Sequence, residues 1–356
     1  VGYNAGAYVS TGIENTLIGA LAGDALTDSD RNVAMGFYAL TTELLGQYST
    51  AVGYGALQSQ YNSSAADVYN TAMGYVAGQS ITTGIHNTLI GAKAGDALNI
   101  GRYNTTLGYL SLSTDIDGDF STAIGYGALA TQESDGANQA VYNTAVGAYA
   151  GNTLSTGIQN TFVGAQAAAS GAVTGDSNVA VGYNTGNALT SGSLNTLVGA
   201  NAGDALSTGG DNVAIGRSAL TTEDTGWYNV AIGGSALEAQ NSHTNNYNVA
   251  VGYSAGKGVT TGVQNTFVGT SAGDSITDGA SNVAVGYGAL SGIAGGGNTA
   301  IGSSSGAVIT GANNTCIGST AGDNITSGST NTIIGFGIDA DSATADSQLN
   351  IGGWIK

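Results

Sequence analysis

The chain has 356 residues, 60 of them Gly and none Pro, with 24 acidic against 6 basic side chains and a formal net charge of −18. Gly at about one residue in six, against a usual ~7%, excludes an ordinary globular composition, and the lack of Pro and of Gly at every third residue excludes collagen. An apolar fraction of 42% with 8% charge excludes a disordered chain, and so few basic groups exclude nucleic acid and anionic lipid as partners, since that binding rests on Lys and Arg displacing counterions.

A five-residue unit, Asn-[Thr/Val]-x-[Ile/Val]-Gly, recurs from one end of the chain to the other. Its glycines begin Gly2, Gly19, Gly36, Gly53, Gly74 and end Gly302, Gly318, Gly335, Gly352, at a commonest step of 17 residues. No helix fits inside that step. The β-branched residues at period two, as in Thr16 with Ile18 and Thr50 with Val52, predict a short strand in each unit. The leading position is Asn in 17 of 19 complete units, with Ser49 and Ser121 the exceptions. Asn tolerates a left-handed corner, and stacked Asn side chains can bond from coil to coil. After the Gly comes x-x-[Ala/Ser]-[Gly/Leu], as in Ala22-Gly23 and Ala39-Leu40, which predicts a second short strand, followed by a polar turn. Two strands and two turns per step, stacked in parallel, make an all-β parallel solenoid (a β-roll) of about 20 coils with a step of about 17 residues. It covers 1–346 and leaves 347–356 as a terminal segment.

The middle residue of the unit sets the expected assembly. It is Leu17, Ala34, Ala51, Ala72, Leu89, Ala123, Phe162, Ala180, Leu197, Ala214, Ala250, Phe267, Ala284 and Ile333, with Thr106 the polar member. A strand apolar on both faces is buried on both faces. The Thr/Val and Ile/Val pair is expected to pack against the chain's own second strand, so this column needs a second molecule and forms the seam of a homotrimer, whose cyclic closure hides every copy at once.

Three steps are long, and each places its surplus in the same turn: Gln58 to Tyr69, Ala130 to Tyr142, and Glu238 to Tyr247. Repeat proteins carry such insertions on exposed turns, often on the binding face. Tyr61, Asn62, Tyr69, Gln132, Asn138, Tyr142, Asn241, His243 and Tyr247 are therefore candidate receptor contacts, for a host-surface glycan or protein; the alternative for the three closing tyrosines is stacking at the strand entrance.

Catalytic constellations are weak. His86 and His243 stand about nine coils apart in polar turns and cannot share a triad. Cys316 occupies a middle position and reads as a core thiol. Asp115, Asp117 and Asp119 lack the glycine and glutamate spacing of an EF-hand loop, and Lys257 lacks the Ser or Thr that follows it in a phosphate loop. Asp24, Asp96, Asp204, Asp274 and Asp323 close Ala-Gly-Asp motifs that read either as cation sites where chains meet or as solubilising decoration. No catalytic, metal or cofactor site is assigned, and the chain is expected not to be an enzyme. It opens at Val1 and neither end carries a polar cap, which implies a longer protein.

Asn-Val-Ala-Ile-Gly at 212–216 and Asn-Val-Ala-Val-Gly at 178–182, 248–252 and 282–286 resemble the repeats of trimeric autotransporter adhesin heads. The longer step, with Asn-Thr-x-x-Gly-x-x-Ala-Gly, resembles phage tail-fibre proteins more, and Gln348 to Ile355 resembles the lead-in to a C-terminal chaperone domain that is absent here. The resemblance covers nearly the whole chain. It implies a homotrimeric shaft or receptor-binding region of a tail fibre on a virion, or else a bacterial surface adhesin head, extracellular in either case. A polysaccharide depolymerase scaffold and an ice-binding solenoid are lower alternatives; the latter needs outward Thr ranks, whereas free exchange of Thr and Val suits an interior site.

Overall fold

The structure, a computed structural model, describes residues 1–136 and 139–352. The chain divides into two compact units, Val1–Ser177 and Asn178–Lys356. In the first, three-residue strands start at Thr16–Ile18, Val33–Met35 and Thr50–Val52 and continue to Thr161–Val163. Each pairs in parallel with the next in strict register, so Thr16, Val33, Thr50 and Thr71 form one column and Leu17, Ala34, Ala51 and Ala72 the neighbouring one. The second unit repeats the arrangement from Val179–Val181 to Leu349–Ile351. Twenty such strands stand at the predicted step, and among the described residues there is no α-helix.

The repeat glycine is required twice over. At Gly74 φ is +149°, and a Cβ there would lie 2.3 Å from the carbonyl oxygen of Gly91 one coil on. No larger residue fits either condition. The Asn column is buried and stitches the coils together. The Asn195 backbone N–H and side-chain Nδ2 both donate to Asn178 Oδ1 at 3.1 and 3.0 Å, and Nδ2 also reaches the Gly209 carbonyl at 2.9 Å. A polar group can be buried at this density because each one is paired.

The second strand predicted after the glycine does not form. That segment is a series of turns in which the second and fourth residues after the glycine adopt left-handed backbone, such as Leu21 at +57°, Val76 at +49° and Leu40 at +53°. The left-handed residues still aim N–H groups at neighbouring coils: Leu21 N–H reaches back to Tyr3 O at 2.9 Å, while Gly23 N–H reaches forward to Ala39 O at 2.9 Å and Leu40 N–H to Ala56 O at 3.0 Å. Coil-to-coil hydrogen bonding therefore continues around the turn without extended backbone, and it offsets a left-handed cost of about 1–2 kcal/mol per non-glycine residue.

Each coil builds its core from three sources. In most coils these are the middle strand residue, the small residue three places after the glycine (usually Ala, but Ser111, Thr185 and Ser305 in three coils), and one large aliphatic. The aliphatic comes from the seventh place when the fourth is Gly, as with Leu26, Ile81 and Leu98, and from the fourth place itself in Leu40, Leu57, Leu112 and Leu129. The two positions feed the same space. A Cβ on Gly23 would fall 2.7 Å from Leu26 Cδ1 and 2.8 Å from Leu17 Cδ2.

Candidate functional site

The strand face that points out of the coil is the reverse of the one expected. Ala34, Ala51, Ala72, Leu89, Ala123 and Phe162 in the first unit are fully buried within a single chain, as are Ala180, Leu197, Ala214, Ala250, Phe267, Ala284 and Ile333 in the second; Leu17, in the first strand, is half-buried. These residues line no seam between chains, because the coil's own turn covers them. The outward columns are the Thr/Val and Ile/Val positions. In a lone chain Ile18, Met35, Met73 and Leu107 of the first unit are exposed, as are Ile215, Val268, Ile301 and Ile317 of the second, at 36–48%.

Two aromatic columns flank the outward strand positions in the first unit. One occupies the left-handed residue before the Asn: Tyr48, Tyr69, His86, Tyr103, Phe120 and Tyr142 stack with successive centroids 4.8, 5.4, 5.0, 4.9 and 5.1 Å apart and planes within 17°. Arg31 caps it, 5.4 Å above the Tyr48 ring and bonded to Glu14 at 2.8 Å. The other follows the glycine, with Phe37, Tyr54 and Tyr75 stacked at 5.6 and 5.4 Å and Tyr109 on Tyr126 at 5.5 Å. Tyr228 and Tyr247 form a shorter stack at 5.1 Å in the second unit. Tyr69, Tyr142 and Tyr247, which close the three inserts, all belong to these stacks; their ring faces are covered on the stacked side and their edges face solvent.

The inserts divide into exposed tips and buried anchors. Tyr61, Asn241 and His243 are exposed, and His243 Nδ1 lies 3.1 Å from Thr225 Oγ1 and 3.4 Å from Asp224. Gln132 and Asn62, expected as receptor contacts, are buried instead, because a buried acid one coil back holds them. Asn138 lies outside the described residues. Glu43 Oε1 accepts from the backbone N–H groups of Leu44, Gly46 and Asn62 at 2.8–3.0 Å, and Oε2 from Gln60 Nε2 and Asn62 Nδ2 at 2.9 and 2.8 Å. Asp115 accepts from Gly118 N–H and Gln132 Nε2. Glu223 accepts from Gly226 N–H, Gln240 Nε2 and Asn246 Nδ2. Each glutamine enters the Asn column where the insert would otherwise interrupt it: Gln60 Oε1 receives Asn70 Nδ2 at 3.0 Å, Gln132 Oε1 receives Asn143 Nδ2 at 3.0 Å, and Gln240 Oε1 receives Asn248 Nδ2 at 3.1 Å.

These acid and glutamine clamps were not singled out from the sequence, although a signal is present. In these six coils Leu stands fourth after the glycine, which vacates the seventh place for Glu43, Gln60, Asp115, Gln132, Glu223 or Gln240.

The remaining candidates separate. Cys316 is fully buried, and burial pushes its thiol up to about 12, far from a reactive thiolate. Asp115 is occupied by its own chain, and among the described residues no three His, Cys, Asp or Glu side chains converge to hold a metal ion. Burial is the leading cause that holds the Asp96 and Asp204 carboxyls above the ordinary range. The protein-family models and the curated proteins contain no match to this chain.

Proposed function

We propose that the chain is a structural and adhesive fibre segment, assembled as a homotrimer through its outward strand face, in the shaft or receptor-binding region of a phage tail fibre. One observation carries the reading: each unit presents in register outward Thr/Val and Ile/Val columns that its own chain leaves half-buried to exposed, flanked by stacked aromatic rings. Exposed apolar surface of that continuity marks an interaction site, and a stripe identical in every copy is closed most simply by cyclic symmetry. Coil-to-coil hydrogen bonding supplies stiffness. The exposed tips at Tyr61, Asn241 and His243 are the receptor-facing elements, suited by tyrosine and small polar groups to a host glycan or protein. A bacterial trimeric adhesin head uses the same architecture; display on a cell surface rather than a virion distinguishes it.

Native mass measurement before and after boiling tests the assembly, with three chains expected and a single-chain mass refuting it. A second reading gains from the same face. Thr and Val point outward, which removes the reason for setting ice binding aside. A single-chain mass together with thermal hysteresis in freezing solutions would favour that reading over the fibre.

A further inference from the structure

Two of the three clamps bring together every group that an intramolecular ester needs. The Asn column is broken by Ser only at Ser49 and Ser121, and each of these serines faces a clamp glutamine. Ser49 Oγ lies 2.9 Å from Gln60 Nε2, and Ser121 Oγ lies 2.8 Å from Gln132 Nε2. Each carboxamide is polarised from its far side, where Gln60 Oε1 receives Asn70 Nδ2 and Gln132 Oε1 receives Asn143 Nδ2, both at 3.0 Å. The departing nitrogen already touches a carboxylate, Glu43 Oε2 at 2.9 Å or Asp115 Oδ2 at 2.6 Å. All of these side chains are buried, so water does not compete as nucleophile. The serines are themselves fixed, with Ser49 N–H on Asn32 Oδ1 and Ser121 N–H on Asn104 Oδ1, each at 2.8 Å.

We propose that Ser49 with Gln60, and Ser121 with Gln132, are sites of autocatalytic ester cross-links. The serine Oγ bonds to the glutamine Cδ, the Cδ–Nε2 bond breaks, and ammonia leaves. The hydroxyl proton passes directly to the departing Nε2, which lies 2.8–2.9 Å from the serine oxygen, while the carboxylate stays hydrogen-bonded to that nitrogen and keeps its charge. The asparagine Nδ2 stabilises the oxygen as negative charge develops on it. No oxidant or co-reactant is consumed. The link ties each of the first two inserts to the strand entrance of its own coil, closing that coil on itself. The third clamp is a built-in control: Gln240 Nε2 meets Asn229 Oδ1 at 3.0 Å in place of a serine hydroxyl.

The test is mass spectrometry of the purified full chain after denaturation. The intact mass is expected to fall below the sequence mass by two ammonia molecules, about 17 Da each. After tryptic cleavage the loss should fall on peptides 32–93 and 103–217 and be absent from 218–257, which holds Asn229 and Gln240. Fragmentation of 32–93 should give no backbone cleavage products between Ser49 and Gln60. Ser49→Asn recreates the arrangement of the third clamp and so keeps the fold; it should abolish the loss in 32–93 alone. An intact mass equal to the sequence mass overturns the proposal, as does a loss in 32–93 that persists in Ser49→Asn.

Discussion

The inward direction of the middle strand residue is tested by placing the same charge on adjacent residues of one strand. Ala214 is fully buried, in register between Leu197 and Ala231, whereas Ile215 keeps 37% of its surface in a single chain. Ala214→Asp puts a carboxylate among aliphatic side chains with no partner. The effective penalty for one buried ion is several kcal/mol, against a total stability of about 5–15 kcal/mol for a domain. Ile215→Asp forfeits only part of the ~1.5–3 kcal/mol that full burial of an isoleucine contributes. In a trimer it also brings three carboxylates onto the shared face. Far-UV circular dichroism melts at neutral pH should show Ala214→Asp unfolded or strongly destabilised, while Ile215→Asp retains its β signal and loses the three-chain species in native mass spectrometry. A wild-type melt for Ala214→Asp would refute the inward assignment and restore the alanine column to the surface.

Thr106 is buried in the same column and its hydroxyl has no hydrogen-bond partner, so Thr106→Val should stabilise by about 1 kcal/mol, read as a rise in the thermal midpoint. The Cys316 thiol should resist iodoacetamide at pH 8 in the folded chain and react once guanidinium unfolds it; alkylation at equal rates in both states would contradict its burial. Asp96 and Asp204 have native pKa values raised above 3.8, with burial the leading cause. The native chain therefore holds these protons more tightly than the unfolded one. Their contribution to stability grows as pH falls through the raised values toward 3.8 and is lost as pH rises again. Asp204→Asn should flatten that slope and raise the midpoint at pH 7, and an unchanged pH profile would count against the assignment.

The period, the strands and the Asn column were legible because each imposes a residue type that little else can replace. A φ of +149° against a neighbouring carbonyl leaves only glycine at Gly74, and a buried corner that must satisfy two coils calls for a carboxamide. The turn after the glycine was illegible for the opposite reason. Left-handed backbone ordinarily announces itself through Gly or Asn, yet here Leu21, Tyr38 and Val76 adopt it. Hydrogen bonds from their N–H groups to the preceding coil hold them there, and such bonds leave no mark on local composition. The buried acids were hidden for a similar reason: Glu43 and Glu223 read as surface charge until the glutamines of the following coil are seen beside them.

The direction of the strand was recorded in the sequence, but in the sizes of residues two segments apart rather than in the strand itself. A three-residue strand that is apolar on both faces offers no internal sign of which face is interior. Inside a coil, however, the middle residue shares its space with the fourth residue after the glycine, both in its own coil and in the coil before. Leu89 lies between Gly78 and Gly95, Leu197 between Gly186 and Gly203, and Phe267 between Gly256 and Gly273; a Cβ on Gly273 would come within 2.4 Å of the Phe267 ring. Where Leu stands on either side, as Leu40 and Leu57 do around Ala51 or Leu220 and Leu237 around Ala231, the middle residue shrinks to Ala. Volume exchange of this kind is what close packing at fixed total volume demands of residues in contact. A seam between separate chains would place no such demand on the chain's own turn. The recurring bulky residues are therefore a record of one coil's interior, and the outward face is left to the Thr/Val and Ile/Val columns on either side of them.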